Sequence, residues 1–365
     1  MKRHNRLKKH TLGLAAALLV TAGMSQIALA GDSVYVNTSS LRYRTSAQIK
    51  DNNIAGNLSY GQKLERVGTS GQWTMILLNG KKYYVSSAYV TSKKPTSAGA
   101  VQTTSQTAAG AQTFGGTAIA LSSNYKYANY SKINSGTATL YRSTASNKKN
   151  KVVCVNAGHG TNGGGRVKTQ CHPDGSAKVT GGTTGAGATS AVAVSSGMTF
   201  ADGTAESKVT LAMAKVLKTK LLNAGYDVLM IRESDDVQLD NIARTVIANN
   251  NADCHIALHW DSTSSNKGAF FMSVPSNATY RAMEPVASHW KQHNQLGESL
   301  ISGLKSAGVK IYSKGSMEMD LTQTSYSTIP SVDIELGDKA SDHSGATLET
   351  LANGLLTGVN TFFGQ

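Results

Sequence analysis

Residues 151–160 read Lys-Val-Val-Cys-Val-Asn-Ala-Gly-His-Gly, and the interpretation of most of the chain starts from this stretch. The apolar run at 152–155 is typical of a short buried strand, and His159 follows it between two glycines. Later in the chain a second apolar run, 254–258, is followed directly by His259. Functional groups of open α/β sheets collect just beyond the carboxyl ends of strands. Both histidines are therefore candidates for a single site.

Strand-like and helix-like segments alternate from residue 151 to the C-terminus. The clearest helix is residues 206–223, whose apolar side chains recur at the spacing of one helical face. Further helices are predicted around residues 239–246, 283–304 and 348–359, and further strands at residues 137–141, 226–231 and 331–336. The alternation predicts an α/β fold for residues 121–365, with an open, mostly parallel sheet and helices on both faces.

Glu206 opens the first of these helices, where the positive end of the helix dipole favours an ionised carboxylate. Two imidazoles and one carboxylate are a known ligand set of catalytic zinc, which keeps its fourth position for water. His159, Glu206 and His259 therefore form a candidate metal site, although no local motif links them. Glu233 and Glu284 are the other carboxylates that could supply the third ligand, and Glu206 fits best.

Six segments between residues 151 and 365 resemble zinc-dependent N-acetylmuramoyl-L-alanine amidases and occur in the same order as in that family. They are Val-Asn-Ala-Gly-His159-Gly, the helix that begins at Glu206, Tyr-Asp-Val-Leu-Met-Ile-Arg232, Ala-Arg244-x4-Asn249, Ala-Asp-Cys-His-Ile-Ala-Leu-His259 and Ser-Val-Asp-Ile-Glu335-Leu-Gly337. The resemblance implies that His159, Glu206 and His259 hold Zn²⁺ and that Glu335 is the catalytic carboxylate.

The same resemblance implies the reaction, which is hydrolysis of the amide bond between the lactyl group of N-acetylmuramic acid and L-alanine in peptidoglycan. A zinc-activated water would attack the carbonyl, with Glu335 as general base and then general acid. Two alternatives stay open: a zinc peptidase or deacetylase of the cell wall, and a catalytically inactive wall-binding protein. Their products differ, because only an amidase releases an intact stem peptide with a free N-terminal alanine.

Other histidines have structural and metal-binding interpretations. His255 lies on the same strand face as the second ligand histidine but roughly 13 Å away, at about 3.3 Å per residue, so both cannot bind one ion. We expect a structural role for His255. Cys171 and His172 are a possible soft metal pair in an irregular segment. His289 and His293 lie one helical turn apart and form either a surface metal clip or, as we expect, a packed or solvated face.

Arg232 and Arg244 also have two interpretations. They bind the peptide carboxylates of the substrate, or they form structural ion pairs with nearby acids, which we favour. The acids in question are Asp235, Asp236 and Asp240.

The connection between the first two ligand candidates departs from the family pattern. Residues 161–203 form a longer segment than expected, rich in Gly, Ala, Thr and Ser and without an apolar period. A long loop inside a compact domain is usually functional or disordered. Because both of its ends meet ligand candidates, we expect this insertion to border the substrate groove. Asn156 also departs from the pattern, since an acid is expected at that position.

Residues 1–30 have the three parts of a secretory signal peptide: a basic stretch, an apolar run and Ala28-Leu29-Ala30. The alternative is a membrane anchor, but polar residues interrupt the run and it falls short of the roughly 20 apolar residues that a span needs. We therefore predict a secreted, cell-wall-associated protein with no stable membrane insertion.

The full chain carries a net charge of +14, and its first thirty residues hold five basic and no acidic side chains, which leaves +9. A basic exported protein is attracted to polyanions, so acidic cell-wall polymers and peptidoglycan, and not nucleic acid, are the expected partners. Three cysteines are too few for a disulfide framework. We predict that Cys154 and Cys254 are reduced, buried thiols and that the protein is a monomer.

Residues 31–91 are predicted to form a small all-β barrel domain. Short strand-like runs alternate with glycine turns, and Asn79-Gly80 is a strong hairpin signal. An early Leu-Arg-x-Arg, the central Trp73 and a final Tyr-Val-Ser-Ser-x-Tyr-Val resemble a bacterial Src-homology-3-like domain, which implies a wall-binding role. Residues 92–120 consist of Ser, Thr, Ala, Gly and Gln with almost no large apolar residue, which is typical of a flexible linker.

Overall fold

A computed structural model describes residues 32–36, 40–48, 53–59, 61–94 and 115–365. The predicted signal peptide and most of the predicted linker lie outside the described residues. The chain divides into two compact units, Met1–Gly110 and Ala111–Gln365. Among the described residues, no helix combines the length and the apolar character needed to cross a bilayer.

The first unit is an antiparallel sheet of seven strands with the order β3-β2-β6-β5-β4-β1-β7. Its strands are β1 (Asp32–Val36), β2 (Ser40–Arg44), β3 (Ile54–Ser59), β4 (Lys63–Ser70), β5 (Trp73–Leu78), β6 (Lys81–Ser86) and β7 (Val90–Thr91). Alternating apolar side chains bury one small core, and they include Val34, Val36, Leu58, Ile76 and Val85.

The hairpin between β5 and β6 confirms the turn predicted from Asn79-Gly80. Both turn residues have positive φ angles, 51° and 74°, as a tight hairpin turn of this kind requires. The prediction of a closed barrel is not confirmed. Within the described residues β3 pairs with β2 and the two-residue β7 pairs with β1, so the ends of the sheet do not meet.

The second unit is built on an eight-stranded sheet with the order β16-β15-β17-β14-β10-β13-β9-β8. The strands are β8 (Gly116–Ala120), β9 (Thr137–Tyr141), β10 (Val152–Ala157), β13 (Asp227–Met230), β14 (Cys254–Asp261), β15 (Ala269–Ser273), β16 (Ile311–Glu318) and β17 (Ser331–Asp338), while β11 (Lys168–Gln170) and β12 (Ser190–Val192) form a separate small sheet. The four central strands are parallel to one another. Antiparallel pairs join β9 to β13 and β15 to β17, so the sheet is mixed.

Helices cover both faces of this sheet, as the alternation of segments predicted. They are α1 (Glu206–Asn223), α2 (Asn241–Asn251), α3 (Ala278–Ala282), α4 (Val286–Ser306), α5 (Thr322–Tyr326) and α6 (Gly345–Phe363). Along β10, Val153 and Val155 face the large core that α1, α4 and α6 complete. Cys154, between them, faces a second core that contains α2. The period of two along a strand therefore places successive side chains in opposite layers.

The sheet begins earlier in the chain than the predicted domain boundary at residue 121. Gly116–Ala120 forms β8, which pairs along its whole length with β9. Its Gly-Thr-Ala-Ile-Ala composition is close to that of the linker before it, so composition alone hides the strand. The three cysteines are all free and buried, which agrees with the predicted reduced thiols at Cys154 and Cys254.

Candidate metal centre

His159 stands in a tight loop just beyond the carboxyl end of β10. Its backbone is in the left-handed region, with φ of 63°. The preceding Gly158 lies against the ring of His259, since a Cβ at Gly158 would come within 2.2 Å of that ring. Only glycine fits there, so the loop brings the two imidazoles together with ring centroids 4.6 Å apart.

Two buried arginines hold the carbonyl groups of this loop. The Arg244 guanidinium donates to the carbonyl of His159 at 2.7 Å, and that of Arg232 donates to the carbonyl of Gly158 at 2.8 Å. Both side chains also donate to the carbonyl of Ala157. These contacts support the structural role that we favoured for both arginines, but among the described residues neither forms an ion pair with Asp235, Asp236 or Asp240. Backbone carbonyls and neutral side chains accept from both guanidinium groups, because the turn directs its carbonyls inward.

Glu206 is the first residue of α1, as the sequence predicted, and its side chain is only 3 % exposed. The backbone N–H of Trp260 donates to Glu206 Oε1 at 3.0 Å. Burial raises the pKa of this carboxyl, but hydrogen bonds and charges from His159 and His259 outweigh it and hold the pKa well below its usual range. Glu206 is therefore ionised while it faces both imidazoles.

The three predicted ligands converge on one point. His159 Nε2 lies 2.9 Å from Glu206 Oε1, and His259 Nδ1 lies 3.0 Å from the former and 3.2 Å from the latter atom. Tetrahedral zinc with ligand bonds of about 2.0–2.1 Å separates its ligand atoms by about 3.3 Å. The donor atoms are therefore spaced to within a few tenths of an ångström of what a zinc ion requires. These three residues are also the cluster of potential metal ligands found among the described residues.

Glu335 lies beside this cluster on β17, directly opposite His259 in the register of the two strands. Its side chain is buried, and its Oε2 has no hydrogen-bond partner among the described residues. Burial raises the pKa of Glu335 well above its ordinary value; Asp333, Glu206 and Asp261 raise it further, while His259 opposes them. Such a carboxyl is suited to exchanging a proton with a bound reactant.

Asp333 is the residue of this site that sequence reasoning missed. Its Oδ2 lies 3.6 Å from His259 Nε2, the nitrogen that faces away from the other two ligands. Burial lowers the pKa of His259, but Asp333, Glu206 and Glu335 outweigh it and raise the pKa to about 10. Alternation along β17 puts Asp333 on the face of Glu335, and that period of two was the available signal. The concentration of carboxylates around two imidazoles suits a bound cation.

A groove of about 510 Å³ is lined by the predicted ligands together with Asp333 and Glu335. One wall is the inserted segment, which confirms the expectation that residues 161–203 border a groove at the ligands. The opposite side carries methionines and polar residues of β15, β16 and the start of α5. Groove residues outside the ligand cluster include Lys178, Thr183, Thr184, Val192, Ser195, Met198, Met272, Met317, Met319 and Gln323.

A fully buried aspartate, Asp320, fastens the insertion to the rest of the unit. It accepts hydrogen bonds from His172 Nε2 at 3.0 Å, Lys178 Nζ at 3.0 Å, and the backbone N–H groups of Val179 at 2.8 Å and Thr180 at 3.0 Å. Burial raises the pKa of Asp320, and these partners outweigh it and hold the pKa well below the ordinary value. The insertion is thus an ordered wall with a buried ionic anchor.

The remaining candidates have structural positions. His172 belongs to the anchor, so its proposed metal role with Cys171 is not supported by the geometry. His255 is fully buried, with Nε2 3.1 Å from the side-chain nitrogen of Asn156, and burial lowers its pKa to about 3. His293 is buried and accepts from the backbone of Ser331, consistent with a packed face. The two alternative third ligands lie away from the histidines. Glu233 forms an ion pair with Lys218, and Glu284 accepts a hydrogen bond from the hydroxyl of Ser288.

The family of the chain follows from its similarity to known protein families. The family model described as N-acetylmuramoyl-L-alanine amidase matches residues 153–353, more than half of the chain. The chain belongs to this family, and it is accordingly an enzyme that hydrolyses the amide bond between N-acetylmuramic acid and L-alanine in peptidoglycan.

Several solved amidase structures are similar to this chain. The N-acetylmuramyl-L-alanine amidase of Mycobacterium smegmatis is 20 % identical with a TM-score of 0.45, over 60 % of this chain and 99 % of that one. The enzyme of Mycobacterium abscessus is 19 % identical with a TM-score of 0.45, over 58 % and 98 %. That of Clostridium difficile 630 is 16 % identical with a TM-score of 0.42, over 59 % and 97 %. No curated protein matches the chain significantly.

The buried anchor of the insertion leads to a stability prediction. Replacing Asp320 with alanine leaves the ammonium of Lys178 buried without its partner, which should lower the free energy of unfolding by about 3–5 kcal/mol. The exposed Asp174, in the same insertion, is the control, and Asp174→Ala should cost less than about 1 kcal/mol. Urea denaturation of both variants measures the difference.

The pH dependence of that difference follows from the lowered pKa of Asp320. A carboxyl with a depressed folded-state pKa stabilises the protein above its unfolded value, about 3.9, and this contribution is lost as the pH falls through the folded-state pKa. The difference in the free energy of unfolding between wild type and Asp320→Ala should therefore be largest at neutral pH and should decrease in acid. Equal stability of the two at pH 7 would rule out the anchor.

Proposed function

We propose that this amidase is zinc-dependent and that His159 Nε2, Glu206 Oε1 and His259 Nδ1 hold the ion. The convergence of these three atoms, 2.9–3.2 Å apart, is the observation that carries the proposal. The negative potential of the surrounding carboxylates and the unpartnered Oε2 of Glu335 support it. When bound, zinc polarises a carbonyl oxygen and lowers the pKa of a water molecule from about 16 to about 7.

Glu335 is proposed as the group that moves the proton. Its carboxyl borders the groove next to His259, and the positive charge of a zinc ion beside it would favour the ionised form, which would accept a proton from the attacking water. The same oxygen would then deliver that proton to the departing amino nitrogen of L-alanine, which is a poor leaving group until it is protonated. Burial strengthens this role, because bulk water does not compete for the carboxyl.

The alternatives to an amidase would give different products from peptidoglycan. A peptidase would cut within the stem peptide, a deacetylase would release acetate, and an inactive wall-binding protein would release nothing. Membership of the amidase family favours the bond to L-alanine.

We also propose how the domains divide the work. Residues 1–30 would direct secretion, and residues 31–91 would bind cell-wall polymers as a bacterial Src-homology-3-like domain. Residues 92–115 would link that domain to the catalytic domain, which begins with β8 and extends to residue 365. The compact antiparallel unit at residues 32–94 supports a separate module. The mature protein would act as a wall-associated monomer, and its basic charge suits acidic wall polymers.

The catalytic proposal is tested on purified peptidoglycan. Wild-type protein should release intact stem peptides with free N-terminal alanine, lose this activity with a chelator, and regain it with zinc. Glu335→Gln should lower kcat by about 10²- to 10⁴-fold while zinc binding persists. The exposed Glu284, outside the groove, is the control, so Glu284→Gln should retain activity. Undiminished turnover in chelator, or in Glu335→Gln, contradicts the mechanism.

The wall-binding proposal is tested by removing residues 31–110 from the mature chain. The remaining unit has its own cores and should hydrolyse a soluble muropeptide at the wild-type rate. Its co-sedimentation with intact cell walls should fall sharply, and added salt should weaken binding of the full chain. Unchanged sedimentation of the shortened protein would show that the first unit is not the wall-binding module.

A further inference from the structure

We propose that residues 195–198, at the end of the insertion, orient two of the three metal ligands and thereby set the affinity for zinc. This segment is called the clasp below. The inference rests on the proposed zinc site and adds an outer layer to it. Ligands of a metal are held by hydrogen bonds from surrounding groups, and such groups tune the affinity for the ion.

The clasp fixes the ring of His159. The carbonyl oxygen of Ser195 lies 2.9 Å from His159 Nδ1, so the Nδ1–H donates to it. The proton is then on Nδ1, and the lone pair of Nε2 points toward Glu206 and His259. A backbone carbonyl in this place holds both the tautomer and the ring angle that a metal ligand needs.

The clasp also fixes the carboxylate of Glu206. The backbone N–H of Met198 donates to Glu206 Oε2 at 2.8 Å, which leaves Oε1 directed at the two histidines. The carbonyl of Met198 in turn accepts the backbone N–H of Glu206 at 3.0 Å. These two hydrogen bonds join the clasp to the first turn of α1 and fix the Glu206 carboxylate relative to the clasp.

Gly197 brings the clasp backbone into contact with both ligands at once. A Cβ at this position would lie 2.8 Å from Glu206 Oε2 and 2.8 Å from the Cδ2 atom of His159. The residue has φ of +79°, and its N–H donates to Ser195 Oγ at 3.3 Å, which closes the turn. Any side chain at Gly197 must therefore displace a ligand or the clasp itself.

The segment just before the clasp is anchored on both sides. The N–H of Ala193 donates to the carbonyl of Val167 at 2.8 Å, and the carbonyl of Ala193 accepts from the N–H of Asn241 at 3.1 Å, at the start of α2. These bonds involve only backbone atoms. Part of the insertion therefore only lines the groove, at residues such as Thr183 and Val192, whereas the clasp both lines the groove and contacts two proposed metal ligands.

The test compares two glycines of the insertion that share a positive φ. Gly197→Ala should weaken zinc binding by about 10- to 100-fold, measured by competition with a chromogenic chelator. Gly187 has φ of +85°, and no atom of the described residues lies within 4 Å of where its Cβ would stand, so Gly187→Ala is the control and should bind zinc as wild type does. Equal affinities in the two variants would overturn the proposal. Absence of zinc binding in the wild type would instead defeat the zinc site itself.

Thermal unfolding of the metal-free protein shows whether Gly197→Ala folds. If it does not, a second pair of less disruptive variants tests whether the clasp sets the zinc affinity. Ser195→Ala removes the hydroxyl that contacts His159 Nδ1 at 3.2 Å and closes the clasp turn. Its zinc affinity should fall several-fold with little change in metal-free stability. The exposed Ser264 lies outside both the clasp and the groove and provides the control, so Ser264→Ala should leave the affinity unchanged. If Ser195→Ala binds zinc like Ser264→Ala, the clasp does not set the affinity.

Discussion

The parallel pairing of β10 with β14 is the constraint on which the rest of the site depends. Its register joins Ala157 to Leu258, so the chain continues from both strands at the same edge of the sheet. His159 and His259 follow those residues and meet there. The pairing of β14 with β17 then puts Glu335 beside His259. A shift of one residue in either register would turn a functional side chain to the opposite face.

At this edge of the sheet, acidic side chains lie next to the two imidazoles and two arginines lie behind them. Glu206, Asp333 and Glu335 surround the imidazoles, and an accumulation of buried carboxylates is costly without a compensating cation. Behind them Arg232 and Arg244 hold the loop by its carbonyl groups, and desolvation lowers the pKa of each guanidinium. The proposed ligands and the loop that carries His159 are thus fixed by separate sets of bonds, which supports the proposed metal site.

The sequence was informative wherever the chemistry is local. Strand ends predicted both histidines, and the start of a helical period predicted Glu206. The strands β15 and β16 were not recognised, because β15 is a short apolar run with distant pairing partners and β16 is mostly polar and exposed. The contacts of Arg232 and Arg244 were misassigned since backbone carbonyls leave no trace in a sequence.

The insertion shows most clearly what a sequence pattern cannot reveal. It has no apolar period, and its anchor is a buried aspartate 140 residues away from Thr180. Neither the anchor nor the contacts of the clasp with His159 can be inferred from composition. The sequence indicated a loop that is functional or disordered, and its position between two predicted ligands led us to expect it beside the groove, where the structure places it.

The most direct measurement of the central claim is anomalous diffraction at the zinc absorption edge from crystals of the metal-loaded protein. A zinc ion bound at the proposed site should give one strong peak about 2.0–2.2 Å from His159 Nε2, Glu206 Oε1 and His259 Nδ1. A zinc peak elsewhere, for instance at His172, with none among these three atoms would contradict it.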